Sequence, residues 1–174
     1  MHISIKTKQE QEAMIEGGKI LGQILKESAA IIEEGITTKE IDAFAEKRMK
    51  EFGVVGGFKG YHGFPAVCCI SVNEEVVHTI PGNRVVKNGD LVKIDCGVFH
   101  RGLHTDSAIP VLVGVADPKI KEFVETVNKA LYQGIDKARA GNSIQDIGKV
   151  IQNTVEGAGY SIVRELTGLG IGHE

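Results

Sequence analysis

Two short segments carry the clearest chemistry in this sequence. Lys93-Ile94-Asp95-Cys96-Gly97 leads to a polar break at His100-Arg101-Gly102, and His104-Thr105-Asp106-Ser107-Ala108 follows it. Read as a hairpin, a turn centred between His100 and Arg101 sets Asp95 directly opposite Asp106, with Cβ atoms about 5 Å apart. Two carboxylates so placed repel each other, and a divalent cation removes that cost. Hard oxygen donors suit Mn, Fe, Co, Mg or Zn better than Cu. The bland alternative is a solvated hairpin with two surface acids. Asp95 counts against it, because it follows Leu91-Val92-Lys93-Ile94, which has the look of a buried strand.

Histidine is the second candidate chemistry. His78 closes the apolar run Glu75-Val76-Val77-His78-Thr79-Ile80-Pro81, where it could serve as ligand, acid/base or substrate anchor. The competing reading is a hydrogen-bonded, partly buried histidine. His62 sits in a Gly-rich loop between Tyr61 and Phe64, a candidate pocket lip. His104 shares a strand face with Asp106. His2 and His100 are expected at the surface. Cys69 and Cys96 read as small apolar packing groups, and nothing marks a thiol nucleophile. Gly168-Leu169-Gly170-Ile171-Gly172 lacks the full spacing of a dinucleotide fingerprint and is discounted.

The elements that must hold these residues are legible in outline. Met14, Leu21, Leu25 and Ile32 predict an amphipathic helix over 8–34, stopped at Gly35. Thr37 and Glu40 form a capping box for a second helix, which carries Ile41, Phe44, Ala45, Met49 and Phe52 and ends at Gly53. β-rich segments follow at 66–72, 75–80, 91–99 and 103–115. Asp117-Pro118 opens another helix. The chain then repeats itself at an offset of 106: Gly35-Ile36-Thr37-Thr38-Lys39-Glu40-Ile41 aligns with Gly141-Asn142-Ser143-Ile144-Gln145-Asp146-Ile147. Hydrophobic periodicity alone would produce part of that match. The expected division is one domain over 1–174, with a first half at about 8–115 and the start of a second at about 116–174. Strands matching those of the first half would fall past Glu174. The expectation is therefore a fragment, or a chain whose open sheet edge pairs with another.

Composition excludes several function classes. The net charge is −3, with no basic block, so no nucleic-acid partner is implied. No apolar run approaches the ~20 residues that span a bilayer. Three cysteines, two of them adjacent, suit a reducing cytoplasm better than a disulfide framework.

Taken together, these residues resemble the type I, bacterial-type methionine aminopeptidases. The matching segments are Gly60-Tyr61-His62-Gly63-Phe64-Pro65, Ile70 through Pro81 with its His78-Thr79-Ile80-Pro81, Lys93-Ile94-Asp95, His104 through Ala108, and Arg164-Glu165. The resemblance covers essentially the whole chain. It implies the pita-bread fold, an α/β (α+β) architecture of two pseudo-symmetric halves of helices and antiparallel strands. It implies that Asp95 and Asp106 ligate metal, Asp106 bridging two divalent ions (Co, Mn, Fe or Zn). It implies that His78 contacts the substrate near the scissile bond, and that Tyr61, His62, Phe64 and Cys69 lie at the pocket for the methionine side chain. The implied reaction is hydroxide attack on the first peptide bond of nascent proteins that begin with Met and a small second residue, in the cytoplasm and near the ribosome. Because His2 is not small, the chain's own Met1 is expected to be retained.

The sequence departs from the family pattern in two respects. Leu169 stands where the family's Gly-His-Gly-Ile-Gly segment carries a ligating histidine, and His173 does not replace it. The family's two glutamate ligands and second histidine would lie beyond Glu174. Two of the five usual protein ligands are then present, and impaired metal binding with weak or absent activity is expected of these 174 residues alone. Two other readings stay open. One is a non-catalytic pita-bread module that binds peptide N-termini or a protein partner. The other is a relative acting on X-Pro bonds.

Overall fold

The computed structural model describes residues 4–173. Met1 and His2, with the expectations attached to them, lie outside the described residues. One compact unit takes the chain through Ala116 together with the tail from Gly170; the other is Asp117–Leu169.

The first unit is a helical layer on one face of an antiparallel sheet. Helix α1 spans Lys8–Ala30 and α2 spans Thr38–Phe52. The strands are β1 (Val55–Gly56), β2 (Cys68–Val72), β3 (Leu91–His100) and β4 (Leu103–Leu112). The long β3 pairs with β1 and β2 along one edge and with β4 along the other. Period-two alternation divides β3 cleanly. Val92, Ile94, Cys96 and Val98 face the helices and are fully buried, packed with Leu21, Ile24 and Leu25 of α1 and Ile41, Ala45 and Met49 of α2. Lys93, Asp95 and Gly97 take the opposite face, and the helices leave that face free for chemistry.

Both helix starts are chemically specified. Thr37 N–H donates to Glu40 Oε2 at 2.8 Å, and Glu40 N–H donates to Thr37 Oγ1 at 3.3 Å. The Thr37 hydroxyl, donating to Glu40 Oε2 at 2.6 Å, and then the Thr37 N–H hold the Glu40 carboxyl below its usual range. Gly53 closes α2 in the left-handed region at φ 67°, where a Cβ would be strained. Thr7 and Glu10 build the same box at α1, a signal the sequence reading passed over. Replacing Thr37 by Ala is expected to cost about 1 kcal/mol, seen as a lower urea midpoint at unchanged slope.

The second unit contains α3 (Pro118–Lys137) and α4 (Ile144–Gly157). Asp117 caps α3, accepting from Lys119 N–H at 2.8 Å. Ser143 N–H donates to Asp146 at 2.7 Å, so both copies of the repeat begin their second helix with a hydroxyl residue and an acid three positions on.

Several expectations need correction. Helix α1 ends at Ala30, not near Gly35; Ile32 still packs on the core from an irregular turn. Strand β4 stops at Leu112, because Val113 N–H turns to Asp90 O and Gly114 adopts φ 63°. Val55–Gly56 forms a short strand where a loop was expected. Residues 75–80 are not a strand. Asn73 turns the chain at φ 53°, and the carbonyls of Asn73 and Glu75 are taken by Lys93 instead of a ladder. His100 is not at the surface: its side chain is only 17% exposed, under α1, with Nε2 at 3.2 Å from Glu16. Gly17 permits that approach, since a Cβ there would meet the His100 Cβ at 3.3 Å.

Candidate metal centre

The hairpin that bears the acids turns one residue later than its polar break suggests. Arg101 (φ 51°) and Gly102 (φ 86°) are its two central residues, and positive φ at both is the type I′ turn that matches strand twist. His100 pairs with Leu103, so Asp95 faces Ala108 and Asp106 faces Gly97. The acids are therefore diagonal neighbours and not direct partners. They still share a face, because the register moved by two positions, and a diagonal spacing of about 7 Å remains within reach of two carboxyls.

The two carboxyl groups lie close enough for each to perturb the other's ionisation. Burial, and then the charge of Asp106, push Asp95 up to about 6. Burial raises Asp106 as well. A pair that resists double ionisation is an acceptor site for a cation. Its two hard oxygen donors fit a divalent metal, and Asp95 and Asp106 are the residues that would hold it. Among the described residues, no group of three or more His, Cys, Asp or Glu side chains is placed to hold a metal ion.

Neighbouring strands supply the surroundings. Cys69 of β2 pairs with Asp95 in register and is buried. Burial and then the Asp95 and Asp106 charges push its thiol up to about 12, so it stays protonated and apolar at neutral pH. Asp42 of α2 anchors the start of β2, accepting from Val67 N–H at 3.0 Å and Cys68 N–H at 2.8 Å. His78 lies close enough for its charge to lower Asp95. It is exposed, at the left-handed φ of 59°. His104 stacks on Phe99, with ring centroids 4.6 Å apart, on the face that carries Asp106.

The Gly-rich loop comes to the same face. Gly57 N–H donates to Gly97 O at 2.9 Å, and the Phe58 ring lies where a Cβ on Gly97 would stand, 2.9 Å from it. Gly97 is the cross-strand partner of Asp106, so Phe58 borders the acids. Sequence reasoning passed over Phe58; its signal is the glycine it needs opposite. Tyr61, His62 and Phe64 follow in a surface turn. Tyr61 is 70% exposed and packs edge-on against His62 at 4.4 Å.

The tail also belongs to this unit. His104 N–H donates to Gly172 O at 2.7 Å, and His173 Nε2 lies 2.8 Å from Glu10 Oε1 on α1. His173 is thus held by a helix cap. In the second unit Arg164 pairs with Glu156 at 2.5 Å, and Leu169 is 77% exposed.

The model of metallopeptidase family M24 matches residues 12–174. The chain belongs to metallopeptidase family M24. Membership makes it a hydrolase dependent on a divalent metal. This M24 chain is 41% identical over 172 residues to methionine aminopeptidase 1 of Bacillus subtilis (strain 168), covering 99% of itself and 69% of that protein. It superposes on the crystal structure of methionine aminopeptidase from Thermotoga maritima with a TM-score of 0.97 at 36% identity, covering 99% of itself and 70% of that chain. It therefore has the pita-bread α/β fold. The prolidase from Pyrococcus furiosus matches with a TM-score of 0.79 at 23% identity, over 90% of this chain and 45% of that one, a likeness of fold alone. No described helix of this M24 chain is long and apolar enough to cross a membrane.

Proposed function

We propose that the protein removes N-terminal methionine from peptides and nascent proteins with a small second residue, using divalent metal held by Asp95 and Asp106. The observation that carries this reading is the acid pair at diagonal positions on one face of β3 and β4, with His78 near Asp95, in an M24 chain. The bound metal would supply a Lewis acid that polarises the scissile carbonyl and lowers the pKa of water.

The chain's own residues then have separable tasks. Asp95 and Asp106 hold the cation. His78, exposed beside them, offers a ring nitrogen to the substrate near the scissile bond. Cys69, kept as a thiol, presents sulfur to the methionine thioether, with Phe58, Tyr61, His62 and Phe64 as the aromatic side of that pocket. The cytoplasm, with substrates emerging from the ribosome, is the setting that suits this task.

We propose further that the 174-residue polypeptide performs the reaction weakly. Two carboxylates alone hold a metal loosely, and Leu169 offers no ligand where relatives of this type carry a histidine. Calorimetric titration with Mn2+ and release of Met from Met-Ala-Ser test both statements. Binding by the wild type that Asp106→Ala abolishes, with turnover below about 1 s⁻¹, is expected. Turnover at ordinary enzyme rates would overturn the second statement. Absence of Mn2+ binding at millimolar concentrations, with Met-Ala-Ser still bound, would overturn the first in favour of a module that only binds peptide N-termini.

A further inference from the structure

We propose that Lys93 is a positioning residue for His78, a role that rests on the function proposed above. Lys93 stands on β3 two residues before Asp95, on the same face, between the buried Val92 and Ile94. Its Nζ donates to the backbone carbonyls of Asn73 at 2.8 Å and Glu75 at 2.5 Å. An ammonium has three donors and no acceptor, so it can clasp both carbonyls together.

The clasped carbonyls begin the irregular stretch that carries His78. Its entry is further held by Glu75, which accepts from Val72 N–H at 2.7 Å and from Arg84 at 2.7 Å. Its exit is pinned where Ile70 N–H donates to Thr79 O at 3.0 Å. Between these points, Val76, Val77 and His78 form no hydrogen bond among the described residues. His78 nevertheless sits at φ 59°, a conformation that costs free energy for a residue with a Cβ. Such a conformation persists only where the surroundings over-determine it. The Lys93 clasp at one end and the β2 bond at the other provide that constraint. Both reach strands of the acid pair's own sheet, β3 bearing Asp95 and β2 bearing its partner Cys69. The distance from His78 to the metal site is thus set through Lys93.

The test compares wild type, Lys93→Met and Lys93→Arg. Methionine keeps the stem and removes the donors; arginine restores two donors in a fork. Backbone order parameters at Val76–His78 are expected to fall from about 0.85 to below about 0.6 in Lys93→Met, with strand β3 still protected from amide exchange. The His78 ring signals are expected to lose their dependence on Asp95→Asn. Lys93→Arg is expected to recover most of the lost order. Mn2+ affinity should stay within about twofold, separating positioning from metal binding, and any loss of Met release should fall on kcat. Unchanged order parameters and unchanged His78 signals in Lys93→Met overturn the proposal. Loss of amide protection along Leu91–His100 overturns it too, because it marks a general structural role. Lower order at Val76–His78 with no Met release from any of the three chains supports the clasp and removes the peptidase reading.

Discussion

Asp95→Asn is expected to raise the melting temperature of the metal-free protein at pH 7.5 while abolishing its stabilisation by Mn2+. The Asp95 carboxyl is raised from 3.8 to about 6 by burial and by Asp106, so the fold disfavours its ionised form. The sign follows. Below about pH 4 the group is protonated folded and unfolded, and the penalty is absent. It grows as pH rises from about 4 through 6 and is fully present above. Wild-type stability in EDTA should therefore fall more steeply across that window than that of the Asn variant, which keeps only the burial penalty of Asp106. A shift of about two units sets a ceiling near 3 kcal/mol. Solvent screening of a partly exposed group reduces that to about 1 kcal/mol, or a few degrees. Mn2+ reverses the balance in the wild type, contributing about 2.7 kcal/mol at a hundredfold excess over its dissociation constant. Thermal melts with EDTA and with Mn2+ check both halves. A lower melting temperature for the variant in EDTA would remove the repelling pair from the account.

The adjacent residue should behave in the opposite way. Ile94 has no exposed surface and points to the other side of β3, into the cluster with α1 and α2. Ile94→Ala is expected to cost about 2–5 kcal/mol, lost transfer energy plus an unfilled cavity. Set against a total of about 5–15 kcal/mol, that leaves a marginal fold or none. Urea unfolding at unchanged slope measures it, and a loss below about 1 kcal/mol would show that this face of β3 is not the core. The contrast between neighbours is the physical signature of the site. One face of the strand holds the sheet to its helices, and the other bears acids that weaken the metal-free fold.

Much of this was legible because it is local. Thr37 with Glu40, Ser143 with Asp146 and Asp117-Pro118 name helix starts within four residues, because the donors and acceptors of a cap lie that close in the chain. The repeat at an offset of 106 was visible for the same reason. The acid pair survived an error in the expected turn. Moving the register by two positions keeps both residues on one face, and the strand period of two protects the inference. The resemblance to methionine aminopeptidases rested on short motifs and agrees with the relatives this chain matches.

What tertiary structure decided is what depends on groups far apart in sequence. Val76, Val77 and Ile80 have the β-branched character of a strand, yet the stretch meets the neighbouring strand only through Thr79 O. Lys93, distant in the chain, takes the carbonyls that a ladder would have used. Phe58 lies over β3 only because Gly97 leaves room for its ring. His100 is partly buried because Gly17 lets α1 approach the hairpin. From the residue order alone came the capped helices, the two-faced strand and the type of chemistry. The turn centre, the left-handed His78, the protonated Cys69 and the clasp at Lys93 came from packing, because burial, close approach and the sharing of distant donors are properties of neighbours in space.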